Sequence, residues 1–307
     1  VERVDCTGMV VCPGFTDLLS YCGEPSATHR ESLGSLAEAC AAGGYTRAVF
    51  GPIGGEVYDN PSIVSDLRLR GELTAGVRFG VLGALTRGLL GKELTDIGRL
   101  KQAGALGLYQ GPDIGTNILR RALQYAGPHG IPVFLRPGDA SLEAQGVMHE
   151  GDVSTRIGLR GIPACSEELG ISRVLALVRD TECPVHITHV TTERGVVLLE
   201  NAQREGLPVS ASTPARHLLL TDSYVETSGY CTSGRLQPPL RPESDRLAIV
   251  DAVRAGTIGS VIADHQPCTR VEKELEFSNA VPGAMGLETS AAAAFTALEP
   301  AEAVRAL

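Results

Sequence analysis

Eight short β-branched runs alternate with eight helical patterns along the 307 residues, and this alternation limits the fold more than any other feature of the sequence. The strand candidates are 10–19, 45–51, 77–83, 105–109, 131–136, 184–190, 207–212 and 258–264. Helical stretches fall near 30–42, 61–72, 94–103, 116–126, 165–181, 193–204, 243–255 and 287–298. Their apolar residues recur every three or four positions, as at Ile171, Val174, Leu175 and Val178. Runs such as 131–135 and 259–263 are apolar without alternation, as expected of strands in a parallel sheet covered on both faces. Eight β-α units in series predict an α/β (β/α)8 TIM barrel over 10–307, rather than a doubly wound sheet. No Gly-x-Gly-x-x-Gly follows a strand, which argues further against a dinucleotide-binding fold.

With seven Tyr, six Phe and no Trp, the core must be aliphatic. A chain this long buries roughly three quarters of its unfolded surface, so it needs no disulfide or metal staple. Twenty-seven bases against thirty-six acids leave a net charge of −9 with no basic cluster, which argues against nucleic acid and anionic membranes as partners. No apolar run approaches membrane-spanning length and the first residues lack signal-peptide anatomy, so a cytoplasmic globular chain is expected. The eight cysteines contain no Cys-x-x-Cys pair and predict buried free thiols. Val1–Thr7 alternates like a strand of some other unit, and Pro300–Leu307 opens a helix.

In a barrel the chemistry sits where strands end. Those positions carry 17–25, Gly51-Pro-Ile-Gly-Gly55, Leu108-Tyr-Gln110, Leu135-Arg-Pro-Gly-Asp139, His186-Ile-Thr-His-Val190, 212–217 and Ala263-Asp-His-Gln-Pro-Cys268. Further motifs are Pro13-Gly-Phe-Thr-Asp17, Glu24-Pro25, Gly151-Asp-Val-Ser154, Gly161-Ile-Pro163, Pro238-Pro-Leu-Arg241 and Gly286-Leu-Glu288. In collinear order over essentially the whole chain, this framework resembles the dihydroorotase family of the amidohydrolase superfamily. The resemblance implies an amidohydrolase-type barrel beside a small β-sandwich built from both termini, mostly missing here, with 1–9 a remnant of its N-terminal strand.

The departures from that pattern matter more. Active relatives, as the resemblance implies, open strand 1 with Asp-x-His-x-His-x-Arg-Glu-Pro; the two metal histidines fall here on Leu19 and Tyr21, and the substrate-carboxylate arginine on Gly23. Tyr109, Gln110 and Gly111 occupy the region of the bridging ligand, a carboxylated lysine or an aspartate. The strand-5 metal histidine falls on Arg136, and the substrate-binding asparagine within 52–55, where Gly55 replaces it. Gln237 stands where asparagine is usual. His189, Asp264 (the catalytic aspartate of the pattern) and its neighbour His265 survive. A catalytic zinc needs about three protein ligands and an open position. Two ligands would supply roughly half of the ~10–16 kcal/mol of a four-ligand site, a near-millimolar to micromolar affinity. Arg136 also places a permanent positive charge where the cation would sit.

No bound metal or other cofactor is therefore expected, with His189 and Asp264 vestigial ligands. His189 is expected to be a hydrogen-bonded strand-end residue, and Asp264 to form a vestigial-site ion pair with Arg136 across the mouth. His265 with Cys268 is too sparse a pattern for a Cys-His nucleophile. Residues 51–55 form a plain glycine-rich turn without phosphate-binding spacing. His186 is a packing residue, the run His217-Leu-Leu-Leu220 reads as ordinary barrel-helix packing after strand 7, and His29, His129 and His149 carry no pattern. The resemblance is strongest to inactive dihydroorotase-like subunits that accompany aspartate carbamoyltransferase. It implies an assembly role in pyrimidine biosynthesis, in a hetero-oligomer with the catalytic subunit of that enzyme. The alternative is an active metal-dependent dihydroorotase or related cyclic-amide hydrolase, interconverting carbamoyl aspartate and dihydroorotate, with a reduced zinc site of His189, Asp264 and a borrowed ligand such as Asp139 or Cys22. A third reading is a small anion bound at Arg136.

Overall fold

A computed structural model describes residues 3–307. Eight parallel strands follow one another around a single sheet: β1 Phe15–Tyr21, β2 Tyr45–Gly51, β3 Arg78–Ala84, β4 Gly107–Gln110, β5 Val133–Leu135, β8 Val185–Ile187, β9 Val209–Pro214 and β10 Ser260–Ile262. Every one of the eight strands expected from the sequence forms. The first begins later than 10, because residues 10–14 run as irregular chain. The ring closes between β10 and β1 without a regular ladder. Tyr21 N–H donates to the His265 carbonyl at 2.8 Å, and the Asp17 carboxylate accepts Ala263 N–H at 2.7 Å.

The outer layer consists of the expected helices: α1 Leu33–Ala42, α2 Pro61–Leu73, α3 Ile97–Gln102, α4 Thr116–His129, α7 Cys165–Thr181, α8 Glu193–Arg204, α10 Glu243–Ala255 and α12 Leu287–Ala297. Local chemistry sets their starts. Ser32 caps α1 by accepting from Ser35 N–H, Asn60 caps α2 ahead of Pro61, and Thr192 caps α8 by accepting from Gly195 N–H. The apolar stripe of α7 (Ile171, Val174, Leu175, Val178) is buried against the sheet. A second, separate cluster fills the barrel lumen: Leu19, Tyr21, Ile53, Leu82, Tyr109 and Ile262.

Between β5 and α7 the chain inserts a small unit. The short helix α5 Ala140–Glu143 precedes β6 Met148–His149, which pairs in parallel with β7 Gly161–Ile162 across α6 Asp152–Ile157. Short helices α9 Tyr224–Thr227 and α11 Arg270–Lys273 decorate later loops, and α13 Pro300–Ala306 follows α12. After β9 the run at His217 is a 3-10 turn, Ala215–Leu218, rather than a full barrel helix. Of the expected 1–9 remnant strand, residues 3–9 form no strand and are exposed, while Val1 and Glu2 lie outside the described residues. The eight cysteines are all unpaired; Cys22, Cys40 and Cys183 are buried as expected, whereas Cys6 and Cys165 are exposed. Among the described residues no helix is long and apolar enough to cross a membrane.

Candidate functional site

The C-terminal ends of the strands converge on one mouth, and its β1 side is mostly apolar, with the Tyr21 hydroxyl buried there without a hydrogen-bond partner. Leu19 and Tyr21 project into the lumen and are fully buried against Leu82, Tyr109 and Ile262. Asp17, the first residue of the strand-1 pattern, points away to close the ring; burial raises its pKa, against the hydrogen bonds from Ala263 and Ser20. Gly23 is held by its turn: a Cβ there would lie 2.2 Å from the Ala27 carbonyl oxygen and 2.6 Å from that of Glu31, so no arginine fits on this backbone. Gly55, in contrast, adopts φ +106 at an open position of the β2 loop.

The bridging-ligand region at the end of β4 is spent on internal bonds. Gln110 accepts from Thr86 Oγ1 at 2.7 Å and donates to the Leu89 carbonyl at 3.1 Å. Burial pushes the Tyr109 hydroxyl up to about 12, so it stays a neutral phenol.

At the end of β5, Arg136 is the centre of an ionic cluster. Its partner is not Asp264 as expected but Glu143 on α5: Nη2 donates to Oε2 at 2.9 Å and Nη1 to Oε1 at 3.3 Å. Gln237 Nε2 donates to Oε2 at 2.9 Å and Ser166 Oγ to Oε1 at 3.2 Å. Proximity decides the partner. The β5 loop folds α5 back over the mouth, and a buried guanidinium takes the nearest carboxylate that can meet it with two parallel bonds. Burial opposes charge on Arg136, but Glu143 together with Tyr109 and Glu167 outweighs it, and its pKa rises.

Asp264 is held on the opposite side. It accepts from His189 Nε2 at 3.1 Å and Gln266 Nε2 at 2.6 Å, and lies 3.6 Å from Arg216 Nη1. Burial would raise its pKa, yet the His189 bond and the His189 and Arg216 charges leave it below the usual carboxylate value. Both Asp264 (φ +46) and His189 (φ +56) sit in the left-handed region, a strain common where a fold fixes side chains at a site. His189 Nδ1 contacts Thr188 Oγ1 at 2.9 Å, so it is a hydrogen-bonded strand-end residue as expected. His265 ties the β10 end to the start of α1, with Nε2 2.8 Å from Glu31 Oε2 and Nδ1 accepting from Gly286 N–H at 3.2 Å. Cys268 meets only carbonyl oxygens, and His265 is committed elsewhere, which leaves no nucleophile pair.

These donors do not fit a binuclear metal site. His189 and Asp264 bond to each other, Leu19 and Tyr21 are lumen packing, and Arg136 is cationic. Among the described residues no group of three or more His, Cys, Asp and Glu could hold a metal ion. The candidate borrowed ligands are committed elsewhere. Asp139 caps α5 through Ser141 N–H, while burial pushes the Cys22 thiol up to about 12.

A cavity of about 390 Å³ remains above the lumen and reaches Arg136, Gln237, Gln266 and His189, with Ile53 and Leu89 among its walls. Sequence reasoning missed one further polar centre nearby. Arg241, of the Pro-Pro-Leu-Arg motif, donates to Thr191 Oγ1 at 3.0 Å and His149 Nδ1 at 3.2 Å and lies 3.5 Å from Glu167 Oε2. Burial and the Arg241 charge hold His149 down at about 4, hence neutral and able to accept that bond. Only the motif at 238–241 signalled this link; His149 carries no pattern of its own.

Eight parallel strands ringed by helices, with the polar side chains gathered at the strands' C-terminal ends, define an α/β barrel. L-Hydantoinase from Arthrobacter aurescens shares the fold over all of this chain and 72% of its own, with a TM-score of 0.84 at 21% identity. The family described as dihydro-orotase-like matches residues 8–195. A dihydroorotase of Pelotomaculum thermopropionicum is 39% identical over 299 residues, covering 97% of this chain and 69% of the relative. One from Geobacter metallireducens is 36% identical over 291 residues, covering 94% and 68%. The chain belongs to the dihydroorotase-like family.

Proposed function

We propose that this chain is a dihydroorotase-like barrel that performs no hydrolysis. In this reading it acts through its surface as an assembly partner of the aspartate carbamoyltransferase catalytic subunit, in a cytoplasmic hetero-oligomer of pyrimidine biosynthesis. The observation that carries the first half is the Arg136–Glu143 pair, which puts a fixed positive charge and its counter-ion where a metal ligand is implied. The partner rests on the family resemblance alone. A second reading, an active metal-dependent dihydroorotase, is favoured by the name its relatives bear at 36–39% identity.

One preparation tests both. Purified protein is expected to hold far less than one zinc per chain by elemental analysis and to interconvert carbamoyl aspartate and dihydroorotate no faster than buffer. Stoichiometric zinc, with turnover that chelator abolishes, establishes the second reading and removes the first. The assembly role predicts a shared peak in size-exclusion chromatography with the transferase of the same cell at micromolar concentrations. Separate elution refutes it.

A further inference from the structure

The Glu143 carboxylate is seated as a ligand would be. It sits on the guanidinium edge of Arg136 with two parallel bonds, and Gln237 and Ser166 complete the cradle. Yet it belongs to α5, four residues long and entered through Gly138 at φ +154. A Cβ on Gly138 would come within 2.1 Å of Glu143 Oε1, so that glycine is what allows the carboxylate to tuck in. The cavity reaches Arg136 and Gln237 from the open side. At about 390 Å³ it lies within the size range of small-molecule sites, and Ile53, Leu89 and Pro282 give it apolar walls. Of its other charged walls, Arg30 is paired with Glu272, while the exposed Asp113 has no ion-pair partner among the described residues, which leaves Arg136 as the seat for an anion.

We propose that the barrel mouth is a binding site for a small organic carboxylate, which sits on Arg136 in place of the Glu143 side chain. The ligand's charged end takes the fork that Glu143 vacates, and its hydrocarbon lies against Ile53, Leu89 and Pro282. Glu143 is thus a tethered competitor: wild-type protein binds free carboxylates weakly, and removing the Glu143 charge exposes the seat. The proposal rests on the reading that no metal occupies the mouth.

The test is calorimetric titration at constant ionic strength with benzoate, acetate and inorganic phosphate, in EDTA, for wild type, Glu143→Gln and the double variant Glu143→Gln/Arg136→Gln. Glu143→Gln keeps the side-chain shape and is expected to bind benzoate at least tenfold more tightly than wild type, and more tightly than acetate. Benzoate should also raise its Tm, and Glu143→Gln/Arg136→Gln should show neither effect. Equal benzoate affinity in wild type and Glu143→Gln overturns the exchange. Tighter binding of phosphate than of benzoate overturns the organic class. If Glu143→Gln does not fold, Ser166→Ala loosens the Glu143 cradle while keeping the ion pair, and a severalfold gain in benzoate affinity is expected there; no gain overturns the proposal. Zinc retained through purification with chelator-sensitive turnover counts against the proposed function, whereas these titrations in EDTA test the carboxylate seat by itself.

Discussion

The two sides of the mouth solve one problem in opposite ways. On the β1 side, Leu19 and Tyr21 stand where histidines are implied, and the lumen is closed with hydrocarbon from Leu82, Tyr109 and Ile262. On the β5 side, Arg136 stands where a histidine is implied, and the space is filled by an ion pair with two further hydrogen bonds. Buried space favours either few polar atoms or paired ones, and the β1 side departs from this at one point, the buried Tyr21 hydroxyl, which has no hydrogen-bond partner. The hydrocarbon solution spreads over many neighbours and resists any polar change. The ionic solution depends on one partner, so it is fragile to a single substitution and replaceable as a pair.

The largest effect is expected from reversing the β1 side. Leu19→His with Tyr21→His removes lumen packing and buries two imidazoles, at a cost of about 5 kcal/mol. Denaturant titration should show that loss, and the variant should still neither retain zinc nor turn over dihydroorotate, because Arg136 and Gly23 are unchanged. Near-native stability or measurable turnover would break the comparison. On the β5 side, Arg136→Met should cost about 3–5 kcal/mol by stranding Glu143, whereas Arg136→Met with Glu143→Leu should fall within about 1 kcal/mol of wild type. A double variant as unstable as the single one would show that the pair is not a separable unit.

The smallest effect concerns a neutral pairing, at His186. This imidazole lies in β8, 2.8 Å from Ser210 Oγ and 2.9 Å from Ser212 Oγ, and packs against Phe134 with ring centroids 4.9 Å apart and planes tilted by 48°. Burial, then the nearby His189, depresses its pKa to about 4 from 6.5. The unfolded chain therefore takes the proton first as pH falls. Its stabilising effect is complete above pH 6.5 and is lost on descending toward pH 4. His186→Gln should accordingly lose less stability than wild type over that interval, by about 1–3 kcal/mol. Parallel pH dependences would mean that the proton does not distinguish the two states there.

The barrel was legible because each β-α unit carries its own periodic signal, and Ile171, Val174, Leu175 and Val178 announce both a helix and its buried face. The replaced positions were legible through order along the chain: Leu19, Tyr21, Gly23 and Arg136 all lie at the strand-end mouth or in its first loop. What sequence could not supply was pairing. Arg136 meets a glutamate seven residues on because α5 doubles back, and Asp264 meets Arg216 in the loop after β9. Neither choice follows from residue type or spacing, since both depend on how a loop turns. The pair of two-residue strands β6 and β7 was invisible for a related reason: nothing so short carries a period.

The Asp17 carboxylate that closes the ring carries a consequence in time. Its partner, the Ala263 amide, lies 246 residues downstream. At about 5–20 residues per second of synthesis, strand β1 waits roughly 12–50 s on the ribosome before its outer edge can be covered. Throughout that interval the nascent sheet has an open flank. The ring thus makes this chain's vulnerability during synthesis depend on how quickly its last strand emerges, whatever the stability of the finished barrel.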